Sequence, residues 1–365
     1  MKITRIETLM APRQAVVRIY TDNGLEGIGQ TAMRNEDVTV SVLHRMVAPA
    51  FLGQNPWDLQ VLIRKTLKKH YKFTGTFLYR ALCGVETAVW DLLGKATGQP
   101  VYRLFGGAIR TEIPMYASSL SRTITPEQEA QRMKDMVDTY GFRCVKIKIG
   151  GRMNQDTDEW PGRTEQIIPL MREALGDDID ISADANSAFS AHHAIKVGRL
   201  MEKYRYYHFE EPCPFDEIEN TALVADALDI PVAGGEQDNS LHHIKRMIER
   251  RAVDIIQPDV GYIGGPSRLR KVAEIADMAG IPCTPHCPNN TLLQLFNLHV
   301  VATMPACYQY QEWRTDDNQP WAKEIYEPML EVIDGKVKLS DQPGWGVTLR
   351  PDYIKKAEIH VSHAD

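Results

Sequence analysis

The sequence predicts an α/β protein: a TIM-like (β/α) barrel of parallel strands with an α+β capping domain formed by the N- and C-terminal segments. Three observations predict it. Between Glu112 and Trp313, eight short β-like runs alternate with helical runs of about 15 residues. Seven of the eight runs carry an ionisable residue at or near the C-terminal end. Before residue 111 and after residue 321 the alternation is absent, and hairpin and helical patterns replace it.

Taken in order, AVVRIYT and LEGIGQT read as the strands of a hairpin around Asp22-Asn23-Gly24. Gly24, Gly27 and Gly29 do not follow the G-x-G-x-x-G order and no helix opens after them, so a dinucleotide loop is not expected. From Glu36 to Leu104 the spacing is helical. YRALCGVETAVWDLLGKATG places apolar residues at i, i+3, i+4 and i+7 and stops at Gly98, with Pro100 beyond. Gly106-Gly107 marks a boundary, which makes residues 1–110 the first part of the cap. Residues 111–321 hold the eight strand candidates: EIPMYASS, CVKIKIG, DISADAN, YYHFEEP, PVAGGE, DIIQPD, PCTPHC and YQYQEW. A doubly wound open sheet would want a glycine-rich first turn, and none is present. In residues 322–365, MLEVIDGKVKLS reads as a hairpin around Asp334-Gly335, and this tail is expected to rejoin the cap.

Composition narrows the class. With 365 residues, 43% hydrophobic and 25% charged, the chain is ordinary for a globular enzyme. Its net charge of -6 argues against nucleic-acid or membrane-surface partners. The start MKITRIETLMAPRQ has no apolar core of a signal peptide, and no run is long enough to span a membrane, so a cytoplasmic location is expected. The six cysteines are expected to be free thiols. Cys283 and Cys287 flank His286 but lack a second ligand pair at zinc spacing.

The strand ends carry the chemistry. They are Lys148, Asp184, Glu210, Glu236, Asp259, His286 and Glu312, and from Asp184 onward they recur every 23 to 27 residues, one βα unit each. On a barrel that spacing gathers them at the C-terminal face, where catalytic groups converge. Strand ends often bear polar residues because loops begin there, but seven in register exceed that expectation. Asp184, Glu210 and Glu236 come from successive strands, and three carboxylates in one cavity repel unless a cation joins them. Hard oxygen donors suit Mg²⁺, with Mn²⁺ as the alternative. A set of salt-bridged carboxylates would need three basic partners, and the sequence does not assign them. Glu211 is expected to point away from Glu210, in a supporting role. Asp259 and His286 end neighbouring strands and form a candidate proton-transfer dyad. Lys146 and Lys148 alternate in CVKIKIG, so both ammonium groups share one face, about 7 Å apart. Their repulsion, roughly 2 kcal/mol, favours proton loss, the property a general base needs.

This combination resembles the enolase superfamily, mandelate racemase subgroup, over essentially the whole chain. The resemblance rests on Lys146-Ile147-Lys148, Asp184-Ala185-Asn186, Glu210-Glu211-Pro212, Gly235-Glu236, Asp259 with Gly264-Gly265, His286 and Glu312. TDNGLEGIGQ, AVWDLLGK and Pro343-Gly344-Trp345-Gly346 also fit. It implies a modified (β/α)7β barrel, Mg²⁺ on Asp184, Glu210 and Glu236, and Lys148 as the base on one substrate face. It implies His286–Asp259 as acid or base on the other face, and Glu312 and Lys146 at the substrate carboxylate. It implies Asn186 beside the substrate, and a homo-oligomer. The reaction implied is abstraction of a proton α to a carboxylate.

Its outcome stays open among dehydration of a sugar acid, racemisation or epimerisation, and lactone cycloisomerisation. Dehydration of an aldonic acid of five or six carbons is the leading expectation, because KKHYKFTG and the tip APRQ are polar or basic. A hydrolytic barrel would want several histidine ligands and the ring has one. A non-catalytic scaffold would be expected to lack a ring residue. The step from Lys148 to Asp184, at 36 residues, is the long one, and its excess GRMNQDTDEWPGR (151–163) is either a lid or a subunit contact.

Overall fold

The computed structural model describes residues 1–153, 156–316 and 320–364. Its chain begins with strands β1 (Ile3–Ala11), β2 (Gln14–Thr21) and β3 (Glu26–Gln30), followed by helices that include Leu59–Lys69 and Thr76–Thr97. Seven strands then alternate with helices: β4 (Glu112–Ser118), β5 (Cys144–Lys148), β6 (Asp180–Asp184), β7 (His208–Glu210), β8 (Val232–Gly234), β9 (Ile255–Ile256) and β10 (Gln311–Arg314). The tail holds β11 (Tyr326–Glu327), β12 (Lys336–Lys338), β13 (Thr348–Leu349) and β14 (Glu358–His363).

The expected barrel is present as a curled parallel sheet in the order β10-β4-β5-β6-β7-β8-β9. The seventh candidate, PCTPHC, is not a strand. It contributes one parallel bridge, Ile256 with Cys283, supported by Thr284 N–H to the Ile256 carbonyl at 2.9 Å. Pro282, Pro285 and Pro288 supply no backbone donors, so a longer ladder cannot form there. The Cys283 N–H instead reaches the Ala306 carbonyl at 2.9 Å, on the side of β10.

The cap sheet runs β14-β1-β2-β3, so a strand from each end of the chain lies in one antiparallel layer. β1 falls within MKITRIETLMAPRQ, a stretch that the hairpin reading left out. Ile3, Ile6, Val17 and Ile19 pack against Leu82, Val85, Val89 and Leu92 of helix Thr76–Thr97. The glycines of β3 explain themselves here: a Cβ on Gly29 would lie 2.4 Å from the Gly84 carbonyl, so only glycine lets the strand approach this helix. That helix ends at Gly98, whose φ of 65° is left-handed. Its buried Asp91 accepts from Ile28 N–H at 2.8 Å and Trp345 N–H at 2.9 Å, joining two of the motifs quoted above to the tail. The expected hairpin at Asp334-Gly335 shrinks to one bridge, Ile333 with Lys336, and β12 pairs with β4 of the barrel.

Two described residues of the 151–163 loop are tied down: Met153 N–H donates to the Asn186 carbonyl and Asp156 N–H to that of Ala188. Asn154 and Gln155 lie outside the described residues, as do residues 317–319 near the expected end of the barrel. Among the described residues no helix is long and apolar enough to cross a membrane. The six cysteines are free and buried.

One buried group makes stability pH-dependent. His299 is fully buried beside Tyr102 and Trp345, its Nδ1 accepting from Tyr102 N–H at 3.2 Å. Burial pushes its pKa down to about 3. The unfolded chain therefore binds a proton here between pH 6.5 and 3 that the native state does not, and stability falls as pH drops through that window. Denaturant unfolding at pH 7 and pH 5 is expected to differ by about 2 kcal/mol from this group. His299→Gln should reduce the difference.

Candidate active site

All seven strand-end residues lie on the C-terminal side of the sheet and are buried. The first strand lacked an ionisable end in the sequence. The structure fills that place with Ser118, whose Oγ donates to Glu312 Oε1 at 2.7 Å. Glu312 Oε2 accepts from Cys287 N–H at 2.9 Å, so its carboxylate is held at both oxygens.

Asp184, Glu210 and Glu236 each present an oxygen within 4.8 Å of the others. β6, β7 and β8 are adjacent and in register, Asp184 opposite Glu210 and Glu210 opposite Ala233, and this neighbourhood brings the three together. Burial, then the charges of Asp184 and Glu210, push the Glu236 carboxyl up to about 7 against the pull of His286. The basic partners that the sequence did not assign are present. Lys146 Nζ lies 2.6 Å from Glu210 Oε1 and 3.0 Å from Glu312 Oε1. Lys148 Nζ pairs with Asp184 Oδ2, and His286 Nε2 lies 3.2 Å from Glu236 Oε2. Even so, six carboxyl groups (Asp184, Glu210, Glu211, Glu236, Asp259 and Glu312) surround two lysines and one histidine. The negative excess and the all-oxygen donor set fit a hard divalent cation.

Lys146 and Lys148 do share one face, as the alternation requires, but their surroundings differ from the expectation. Lys146 is 1% exposed and sits between two carboxylates. Burial would lower its pKa, yet Glu210 and Glu312 outweigh that and hold it well above the ordinary lysine value. The positive field that Lys146 exerts on Lys148 is thereby largely offset. The end of β5 is fixed by the buried Arg163, whose Nη1 donates to the Lys148 carbonyl at 2.8 Å.

The dyad is formed: His286 Nδ1 lies 2.8 Å from Asp259 Oδ2. Asp259 caps the short helix Val260–Ile263, its Oδ1 accepting from Gly261 and Tyr262 N–H, which leaves Oδ2 for the imidazole. Burial would lower the His286 pKa, but Glu236, the Asp259 hydrogen bond and Glu312 push it up to about 10. A cation held by Glu236 would withdraw much of that influence.

Arg122, Gln257 and the placement of Glu211 escaped the sequence reading. Glu211 does not point away. β7 ends at Glu210, and Glu211 has a φ of 42°, a left-handed kink that breaks strand alternation. Its buried carboxyl is raised well above the ordinary range by burial and by Glu236, Asp184 and Glu210. Asn186, with φ 44°, places its Nδ2 3.2 Å from Asp184 Oδ2 and 3.3 Å from Glu211 Oε2. Its Oδ1 accepts from Arg122 Nη2 at 2.9 Å, so the guanidinium sets which way the amide faces. Gln257, two residues before Asp259, donates to Glu210 Oε2 at 2.9 Å, and the i, i+2 spacing was a usable signal. A cleft of about 410 Å³ lined by Glu112, Met329, Leu330 and Lys338 opens at the start of β4, at the other end of the barrel, and holds none of the ring.

Comparison with known proteins agrees with this architecture. Residues 2–106 match the mandelate racemase / muconate lactonizing enzyme N-terminal domain, and residues 128–353 match the enolase C-terminal domain-like family. Curated relatives at 26–29% identity are named as sugar-acid dehydratases. One is an arabinonate dehydratase of Saccharolobus solfataricus, 29% identical over 91% of this chain and 87% of that protein. Among solved structures, a racemase candidate from Roseobacter denitrificans is 44% identical, with a TM-score of 0.96 over the whole of both chains. A mandelate racemase/muconate lactonizing protein from Paracoccus denitrificans, complexed with magnesium, is 29% identical with a TM-score of 0.92, covering 99% of this chain and 98% of that one.

Proposed function

The chain belongs to the mandelate racemase / muconate lactonizing enzyme family of the enolase superfamily, and from that premise we propose that it is a Mg²⁺-dependent dehydratase of a sugar acid, an aldonic acid in the simplest case. The observation that carries this reading is the buried oxygen triad with a lysine at one side and a histidine–aspartate dyad at the other.

Asp184, Glu210 and Glu236 would hold the ion, which when bound would stabilise negative charge developing on the substrate carboxylate. Lys148 removes the α-proton. Lys146, held between Glu210 and Glu312, lies beside the substrate carboxylate and offers it an N–H donor. Glu312, clamped by Ser118 and the Cys287 N–H, and Asn186 border the same end. The protonated His286 donates to the β-hydroxyl, the C–O bond breaks, and water leaves. The resulting enol tautomerises to a 2-keto-3-deoxy acid. Asp259 keeps the imidazole oriented throughout. On this reading residues 1–110 and 322–365 form the cap, residues 111–321 the barrel, and the enzyme works as a homo-oligomer in the cytoplasm.

Epimerisation is the second reading. Lys148 contacts Asp184 at the end of β6 and His286 contacts Glu236 just after β8, so proton-active groups flank the triad on both sides. The likeness to the Roseobacter racemase candidate favours it as well. Incubation with Mg²⁺ and a library of sugar acids in D₂O, followed by NMR and a keto-acid assay, decides. Keto acid is the expected product. α-Deuteration with inversion would replace dehydration by epimerisation, and no turnover of any acid by metal-loaded protein would overturn both.

A further inference from the structure

The aspartate of the dyad stands on a loop that the cap holds from outside. After Asp259 come the short helix Val260–Ile263, then Gly264-Gly265, then helix Pro266–Ala279, which opens on Gly265 with no side-chain cap of its own. The Ser267 N–H in its first turn is instead taken by the cap, donating to Glu86 Oε1 at 2.6 Å across 181 positions of chain. Glu86 belongs to helix Thr76–Thr97, is fully buried, and its Oε1 also accepts from Trp90 Nε1 at 3.1 Å. A carboxylate here satisfies an orphan donor and faces the positive end of the helix. Gln60 Nε2, from helix Leu59–Lys69, donates to Ser267 Oγ at 2.6 Å, so two cap helices hold one residue of the barrel.

The other carboxylate oxygen supplies an independent observation. Glu86 Oε2 is buried and has no hydrogen-bond partner, a costly state for an acceptor. It presses on the turn before the helix: a Cβ on Gly265 would lie 2.5 Å from it. Gly264 and Gly265 have φ values of 101° and 114°, so glycine alone lets the turn close on the carboxylate.

The turn leads back to the dyad. Gly265 N–H donates to the Val260 carbonyl at 2.8 Å and Ile263 N–H to the Asp259 carbonyl at 2.9 Å. The short helix also lies directly on the cap, since a Cβ on Gly261 would be 2.8 Å from the Ala32 Cβ. Asp259 spends Oδ1 on this helix and Oδ2 on His286, so its carboxylate turns only if the helix turns. Lys148 is anchored differently, by Asp184 and Arg163 of the barrel.

We propose that Glu86 is a positioning residue for the Asp259–His286 dyad. It locks the Gly264-Gly265 turn, through it the helix that Asp259 caps, and so the direction in which the imidazole faces the substrate. The inference rests on the reading of His286 as the acid that expels water. On it, one carboxylate of the cap sets the acid side of the site and the barrel sets the base side.

Glu86→Ala removes the lock, Glu86→Gln keeps an accepting oxygen, and Trp90→Phe removes one of the two donors that orient it. The thermal midpoint checks that each folds; Trp90→Phe carries the test where Glu86→Ala does not. α-Deuterium exchange in D₂O reads proton abstraction at Lys148, while keto-acid formation also needs His286. Glu86→Ala is expected to lower keto-acid formation about 100-fold, as a small misplacement of a reacting group does, with exchange near the parent rate. Glu86→Gln should restore dehydration, and Trp90→Phe should show the same split at smaller size. Exchange and dehydration falling together would leave Glu86 a structural role only and overturn the proposal, as would parent-like dehydration in Glu86→Ala. The proton between His286 Nδ1 and Asp259 gives a readout without substrate, a downfield proton resonance that His286→Gln abolishes. It is expected in the parent and in Glu86→Gln and lost in Glu86→Ala. Its absence from the parent, or its persistence unchanged in Glu86→Ala, overturns the proposal. If the parent forms keto acid from no sugar acid, the dehydratase reading fails and this resonance alone decides the role of Glu86.

Discussion

Lys148→Met is expected to lower turnover by a factor of about 100 to 10,000, the range associated with loss of a positioned general base. Lys148 is buried and pairs with Asp184, and its strand end is locked by Arg163, so the substitution removes the proposed proton acceptor without freeing the backbone. Methionine has similar length and no basic atom. The triad should still take up Mg²⁺, because losing a neighbouring ammonium leaves Asp184 with less competition for a cation. The measurement is α-deuterium exchange and keto-acid formation, alongside a thermal shift on adding Mg²⁺. Turnover within tenfold of the parent, with the thermal shift intact, would remove Lys148 from the mechanism.

Lys146→Met should act chiefly on stability. Its ammonium is the charge partner of Glu210 and Glu312, all three groups being about 1% exposed. Removing one member of a buried ion cluster leaves the others uncompensated, at a cost on the order of 3–5 kcal/mol. Mg²⁺ should recover part of the loss by supplying positive charge to Glu210, which distinguishes an electrostatic defect from a packing one. Urea unfolding at neutral pH with and without the ion reads this directly. A loss below about 1 kcal/mol would show that the carboxylates do not depend on this lysine. The sequence argument cast Lys146 as a charge that makes its neighbour basic. The structure gives it a different first task, because a cation shared by two carboxylates projects little net field onto a third group.

How far the site was legible can be followed residue by residue. Ionisable groups at strand ends could be found because one βα unit repeats at a nearly constant step. Gln257 carried the same kind of signal, standing two residues before Asp259. Ser118 lay at the one strand end without a charge. Arg122 gave no signal at all: it belongs to the loop after β4 and meets Asn186, 64 residues away, only after the strands are laid side by side. Glu211 was misplaced for a local reason. Strand alternation assumes extended backbone, and its left-handed φ turns the side chain back toward the triad. PCTPHC was overread because β-like composition does not register that its two prolines, and a third directly after it, lack the donors of a ladder.

By itself, then, the sequence determined the parallel barrel, the cap built from both ends, and the ring of groups at one face. Those features follow from periodicities of two, of 3.6 and of one βα unit, which are properties of a chain read along its length. Only the tertiary structure decided which lysine meets which carboxylate and that Glu211 joins the cluster. Charge pairing depends on separations of a few ångströms between residues tens to hundreds of positions apart. Those separations are set by sheet register, by left-handed kinks and by how closely the cap packs on the barrel.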